Sequence, residues 1–190
     1  MFFASGFAAL IYQVVWQRAL FAIFGINTES VTVIVTAFLL GLGLGSLLGG
    51  HLSLSMRRPL LLFAIAELGI AVFGIASLEL FRRVGAFALG FPALVSGLTI
   101  CLLLLLPTVL MGMTLPLLVA YLVGWSGNVG RSLSLLYFVN TAGSGLASLV
   151  AVSTLLPRLG EHGAVQVAAF TNVVVGAVVL ALSPRSRARE

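Results

Sequence analysis

Long apolar runs broken by short polar or proline- and glycine-marked joints repeat along this chain, and six of the runs reach the roughly 20 residues that a membrane-spanning helix needs. The first extends from about Phe2 to Phe24 and stops at Gly25, after which Asn27-Thr28-Glu29-Ser30 forms a short turn rich in helix-capping residues. The second covers about Val31 to Leu52. Arg57, Arg58 and Pro59 close the next joint, and proline suits the first turn of the third run, about Leu60 to Leu80. The segment Phe81 to Gly97 interrupts the pattern with Arg82, Arg83, Gly85, Gly90 and Pro92 and reads as a loop with a short interfacial element. A fourth run follows from about Gly97 to Leu122, with Pro107 and Pro116 predicting a kink or break. Trp125, Gly127, Asn128 and Gly130 mark a loop before the fifth run, about Ser132 to Leu156, which ends at Pro157-Arg158-Leu159-Gly160. The sixth covers about Gly163 to Leu182. The predicted organisation is one transmembrane domain over 1–182 and a polar, cytoplasmic tail over 183–190.

Composition points the same way. Of 190 residues, 61% are hydrophobic and only 8% charged, where a soluble domain carries about 25%. Lys and Asp are absent: the ten basic residues are all Arg and the five acids all Glu. So few charges cannot cover a water-facing surface, so most of the surface faces lipid. The net charge of +5 is carried by arginines at the joints and in the tail, without interleaved aromatics, which excludes a nucleic-acid-binding surface. The N-terminal run lacks a basic leader and meets Trp16-Gln17-Arg18 where a small-residue cleavage site belongs, so it reads as a permanent helix rather than a signal peptide. Cys101 sits inside an apolar run as a small buried side chain.

The arginine distribution sets the orientation. With the N-terminus inside, inner joints hold Arg57, Arg58, Arg131, Arg185, Arg187 and Arg189, and outer ones hold Arg82, Arg83 and Arg158. Both termini are therefore expected inside. Glycine-rich sequences occupy matching places in the second run (Gly41 to Ser46) and the fifth (Gly143-Ser144-Gly145), as a three-plus-three inverted repeat would give. Gly41, Gly45 and Gly49 recur every fourth residue and form one helix face that lets a neighbour approach closely. A dinucleotide fingerprint would have to follow a strand and open a solvent-facing helix, and this one lies inside an apolar span.

Polar side chains within the spans are the candidate chemistry. At a rise of about 1.5 Å per residue, Gln13 lies roughly 17 Å and Glu67 roughly 11 Å from the inner face, and Asn140 about 12 Å. Asn172, counted from the other face, lies at about 16 Å, so all four fall near the middle of a core about 30 Å thick. Tyr12 and Thr114 are possible accessories. One reading is a midplane site for a cation or a proton with Glu67 as its charged element. The other is interhelical hydrogen bonding that fixes the packing. Arg18 either snorkels outward or reaches toward Glu67 across roughly 14 Å. Glu29, Glu79 and Glu161 read as solvated loop charges. His51 and His162 lie at opposite ends, so neither a metal site nor a cofactor site is predicted. No nucleophile and base pair up, which argues against an enzyme.

Five sequences together resemble the membrane proteins described as spermidine synthase-like, or fused major facilitator/spermidine synthase proteins. They are Ser5-Gly-Phe-Ala-Ala-Leu-Ile-Tyr-Gln-Val-Val-Trp-Gln-Arg18, Phe38-Leu-Leu-Gly-Leu-Gly-Leu-Gly-Ser46, Glu67-Leu-Gly69, Pro107-Thr-Val-Leu-Met-Gly-Met-Thr-Leu-Pro116 and Leu136-Tyr-Phe-Val-Asn-Thr-Ala-Gly143. The resemblance implies an all-α polytopic bundle like half of a major facilitator fold, in a bacterial inner membrane, usually followed by a cytoplasmic aminopropyltransferase-like domain. This sequence stops at Glu190, where that domain would begin, and has Tyr12-Gln13 where the family usually has Tyr-Glu.

Two functions follow as expectations. The chain is a half-transporter-like domain acting as a homo-oligomer or beside another membrane subunit, with organic cations or polyamines as the substrate class implied by the resemblance and by Glu67. Alternatively it is a non-catalytic subunit that anchors a larger membrane complex. The partners expected in either case are the lipid bilayer and further membrane chains.

Overall fold

The structure, a computed structural model, describes residues 1–25, 28–55, 58–88 and 90–182. Asn27, the Glu29 side chain, Arg57 and the tail 183–190 with Arg185, Arg187 and Arg189 lie outside the described residues. Every regular element among the described residues is helical: α1 Phe2–Phe24, α2 Thr28–Ser55, α3 Pro59–Ala88, α4 Ala93–Ser126, α5 Val129–Val150, a π-helical turn Ala151–Leu155, and α6 Leu156–Leu182. Five stretches are long and apolar enough to cross a membrane, the fifth being the 54 residues Val129–Leu182 taken as one. The chain is thus compatible with an integral membrane protein.

Three boundaries differ from the sequence reading. The first is Phe81 to Gly97, where no separate interfacial element forms. Instead α3 runs on to Ala88 and α4 begins at Ala93. Arg82 and Arg83 are compatible with a helix because both pair with Glu79, three and four residues back on the same face. Phe81, Gly85 and Ala88 of this extension are buried, and Gly85 packs on Ile23 of α1. Second, α4 passes through Pro107 and Pro116 without a break. Thr108 donates to the Leu104 carbonyl (2.6 Å) and Thr114 to the Met111 carbonyl (2.7 Å), each next to a carbonyl that proline leaves without its intrahelical donor. Third, the helical path does not stop at Pro157, which falls in the first turn of α6, where a missing N–H is tolerated. It breaks at Gly160, whose φ of 66° and ψ of −172° are open only to glycine.

Packing begins at the small residues. α2 and α4 form the closest pair, with Gly41 against Thr108, Gly45 against the Val109 backbone and Gly49 against Met113; Gly112 of α4 returns the contact onto Leu42. α1 occupies the middle of the bundle and packs on α5, α6 and α3. Trp16 is fully buried there, stacked on Tyr12 at 4.9 Å, edge-on to Phe73 and Phe81, and donating its indole N–H to Ser77 at 2.9 Å. The outside is as apolar as the inside: Leu47, Leu54, Val72, Phe138, Leu149 and Phe170 are all well exposed. In water such a surface would drive aggregation, whereas against hydrocarbon it costs nothing.

Candidate functional site: a polar cavity among the helices

A cavity of about 380 Å³ opens between the helices, and each of α1 to α6 contributes to its wall. Gln13, Asn140 and Asn172 line it, so three of the four residues singled out by depth meet in one place, together with the accessory Thr114. Asn140 and Asn172 are 32 residues apart on the stretch Val129–Leu182, a distance of about 48 Å along a straight helix. Their presence on one cavity wall requires the stretch to turn back on itself, and Gly160 is where its backbone leaves the helical region.

The α1–α5 contact positions Asn140. Gly143 lies on the Phe3 carbonyl, Gly6 lies under Asn140, and Ser144 donates to the Gly6 carbonyl at 3.0 Å. Asn172, on α6, is 2% exposed, and its Oδ1 has no hydrogen-bond partner among the described residues. A buried amide oxygen without a donor is costly, so a ligand or water donating to it would be bound favourably.

Glu67 does not line the cavity. It is fully buried on α3 and sits behind Ser5, which does line it, and Ser5 Oγ donates to Glu67 Oε1 at 2.5 Å. Glu67 Oε2 has no partner, and among the described residues no basic group pairs with the carboxyl. The site is therefore a shell of neutral amides and hydroxyls with one carboxyl a single hydrogen bond away.

Two accessory candidates lie elsewhere. Tyr12 is wholly buried in the aromatic cluster, pressed against Gly74, with its hydroxyl unpartnered. Arg18 does not reach Glu67. It pairs with Glu161 at 3.6 Å, which also moves Glu161 from a solvated loop into a tie between α1 and α6. Glu79 likewise belongs to a helix face. Gly41, Gly45 and Gly49 serve the α2–α4 contact and do not themselves line the cavity.

No protein-family model, no curated protein and no solved structure matches the chain.

The depth argument missed Ser5, Ser46, Tyr137 and Ser144, which complete the polar lining. The missing signal was spacing rather than residue type. Ser5, Ala9 and Gln13 follow at intervals of four, and Tyr137, Asn140 and Ser144 at three and four, so each set shares a helix face.

Proposed function

We propose that this chain is an integral membrane transport domain equivalent to half of a major facilitator-like fold, and that it handles an organic cation, with polyamines the substrate class its motifs suggest, as a dimer or beside a partner subunit. The observation that carries the reading is the cavity itself. A wall of amides and hydroxyls drawn from five helices, with Ile70 of α3 completing it, has no packing purpose that leaves Asn172 Oδ1 unpartnered. A carboxyl behind that wall favours a cation.

The helix pairing supports a repeat. α1 packs on α5 as α4 packs on α2, and α3 packs on α4 as α6 packs on α1, with α3 and α6 in contact with each other. Exchanging the first three helices for the last three, in order, carries each of these pairs onto another. The contacts are alike too: Gly41 and Gly45 of α2 meet α4, and Gly143 of α5 meets α1. With the turn at Gly160, the chain makes six crossings, and both ends lie on the cytoplasmic side of a bacterial inner membrane, as the arginine distribution favours. The reading includes no catalysis by this chain.

Uptake into proteoliposomes tests it. Radiolabelled putrescine or spermidine accumulates in vesicles containing the protein, and Glu67→Gln, which keeps the shape and a hydrogen bond to Ser5, lowers the rate at least about tenfold, the equivalent of about 1.4 kcal/mol in the barrier. Uptake that Glu67→Gln leaves unchanged would rule out the carboxyl as part of a cation site.

A further inference from the structure

Glu67 lies outside the cavity wall, yet its one hydrogen-bond partner among the described residues belongs to that wall. Ser5 Oγ is held at 2.5 Å from Oε1, and the serine is 7% exposed, so the hydroxyl separates the carboxyl from the cavity as one atom-thick link. The hydroxyl donates its hydrogen inward, which leaves its oxygen lone pairs to accept from the cavity side. Asn172 Oδ1, buried and unpartnered on the same wall, offers a second acceptor that would hold a hydrogen-bonded water beside it. The surroundings are otherwise quiet. α1, α4 and α6 pack on α3. Of their ionisable groups, the Met1 amino group bears on Glu67 and Glu67 in turn on Tyr12, while Arg18 is engaged by Glu161, and among the described residues Arg158 and His162 form no ion pair with the carboxyl. Cys101 and Tyr121 of α4 make no hydrogen bond to it.

We propose that Ser5 is a proton relay between the cavity and Glu67, so that the midplane site takes up and releases one proton through this hydroxyl. Loading begins with a hydronium ion in the cavity. One of its O–H bonds breaks as a new O–H bond forms on Ser5 Oγ, while the hydrogen that Ser5 was donating leaves Oγ and bonds to Oε1. The products are one water, an unchanged serine hydroxyl and a neutral carboxylic acid. Release runs the same steps backward. A proton bound here neutralises the Glu67 carboxylate behind the cavity wall, so a proton and an organic cation compete for the site. This deepens the cation-site reading and shares its premise that the cavity is the working site.

Infrared spectroscopy of the protein reconstituted in phosphatidylcholine vesicles tests the relay without requiring transport. As pH falls the parent protein gains a carboxylic-acid carbonyl band that Glu67→Gln lacks, over and above the bands of the four other glutamates. On transfer to D2O the band shifts quickly in the parent protein. In Ser5→Ala the exchange slows by about a hundredfold, the low end of what a positioned proton-transfer group contributes. Ser5→Thr, which keeps a hydroxyl, restores the parent rate, and an unchanged helical amide band certifies that both variants are folded. A parent spectrum that matches that of Glu67→Gln at every pH, or parent-rate exchange in Ser5→Ala, overturns the relay. If polyamine uptake is absent while the band and its exchange behave as described, the substrate assignment fails and the relay stands.

Discussion

Gly43 and Gly45 stand two residues apart on α2, in the same glycine-leucine repeat, and meet opposite surroundings. A Cβ on Gly45 would come within 2.9 Å of the Val109 Cα, whereas a Cβ on Gly43 would meet nothing within 4 Å. Alanine at either site gains up to about 1 kcal/mol of helix propensity. At Gly45 it also forces α2 and α4 apart, and overpacking of this kind costs about 1–3 kcal/mol. Gly45→Ala is expected to lower the thermal unfolding midpoint in mild detergent, and Gly43→Ala to leave it level or raise it; equal midpoints would mean that the α2–α4 approach is looser than described. The period of four that singles out Gly41, Gly45 and Gly49 is legible in the sequence, because a helix puts such residues on one face. Which partner that face meets is not legible, since any helix with a smooth surface would serve. Glu67 illustrates the complementary limit. Its place inside an apolar run was readable from hydropathy alone, but its position behind Ser5 depends on the rotation of α1 against α3, and 62 residues separate the two.

At the scale of the helix, the apolar runs were readable and so were some of their ends, Phe2 and Phe24 of α1 and Leu182 of α6 among them. Charges misled at one joint. Arg82 and Arg83 look like a loop until Glu79 is placed one turn before them, and the helix then carries all three on its outer end. Prolines misled at another, where Thr108 and Thr114 sit beside the carbonyls that Pro107 and Pro116 free. The last helical stretch gives the sharpest case. Val129–Leu182 is 54 residues, about 81 Å if straight, against a hydrocarbon core of about 30 Å. A turn at Gly160 gives two crossings, whereas a straight helix gives one and leaves both ends far outside the membrane. Single cysteines at exposed positions, placed in a Cys101→Ser background, separate the two. Ser126→Cys and Leu182→Cys are expected to react with a membrane-impermeant maleimide from one side of sealed vesicles, and His162→Cys from the other. Labelling of Ser126→Cys and Leu182→Cys from opposite sides would make the crossing single and remove the repeat.

For the molecule as a whole, the cavity wall poses a solvation problem that one copy does not solve. Gln13 and Tyr137 both line the cavity and both are exposed, and Gln13 lies near the middle of α1. A polar side chain at that depth does not face hydrocarbon without loss, because its hydrogen bonds to water have no replacement there. Under the proposed transport reading, another protein surface, or water held in place by one, covers the mouth. Alternating access adds a second requirement, since a carrier needs two bundles that rock against each other around the site, and six helices amount to one. A second copy of this chain facing the mouth meets both requirements with a closed, two-fold arrangement. Native mass spectrometry from mild detergent is expected to give a particle of two chains. Tyr137→Arg sets a charge in the mouth of each copy, facing its equivalent across the two-fold axis, and should shift that particle toward single chains while leaving the helical content intact. A fixed assembly containing other subunits would instead favour the anchoring role, because the mouth would then be closed by a different protein and the cavity would have no moving half to work against.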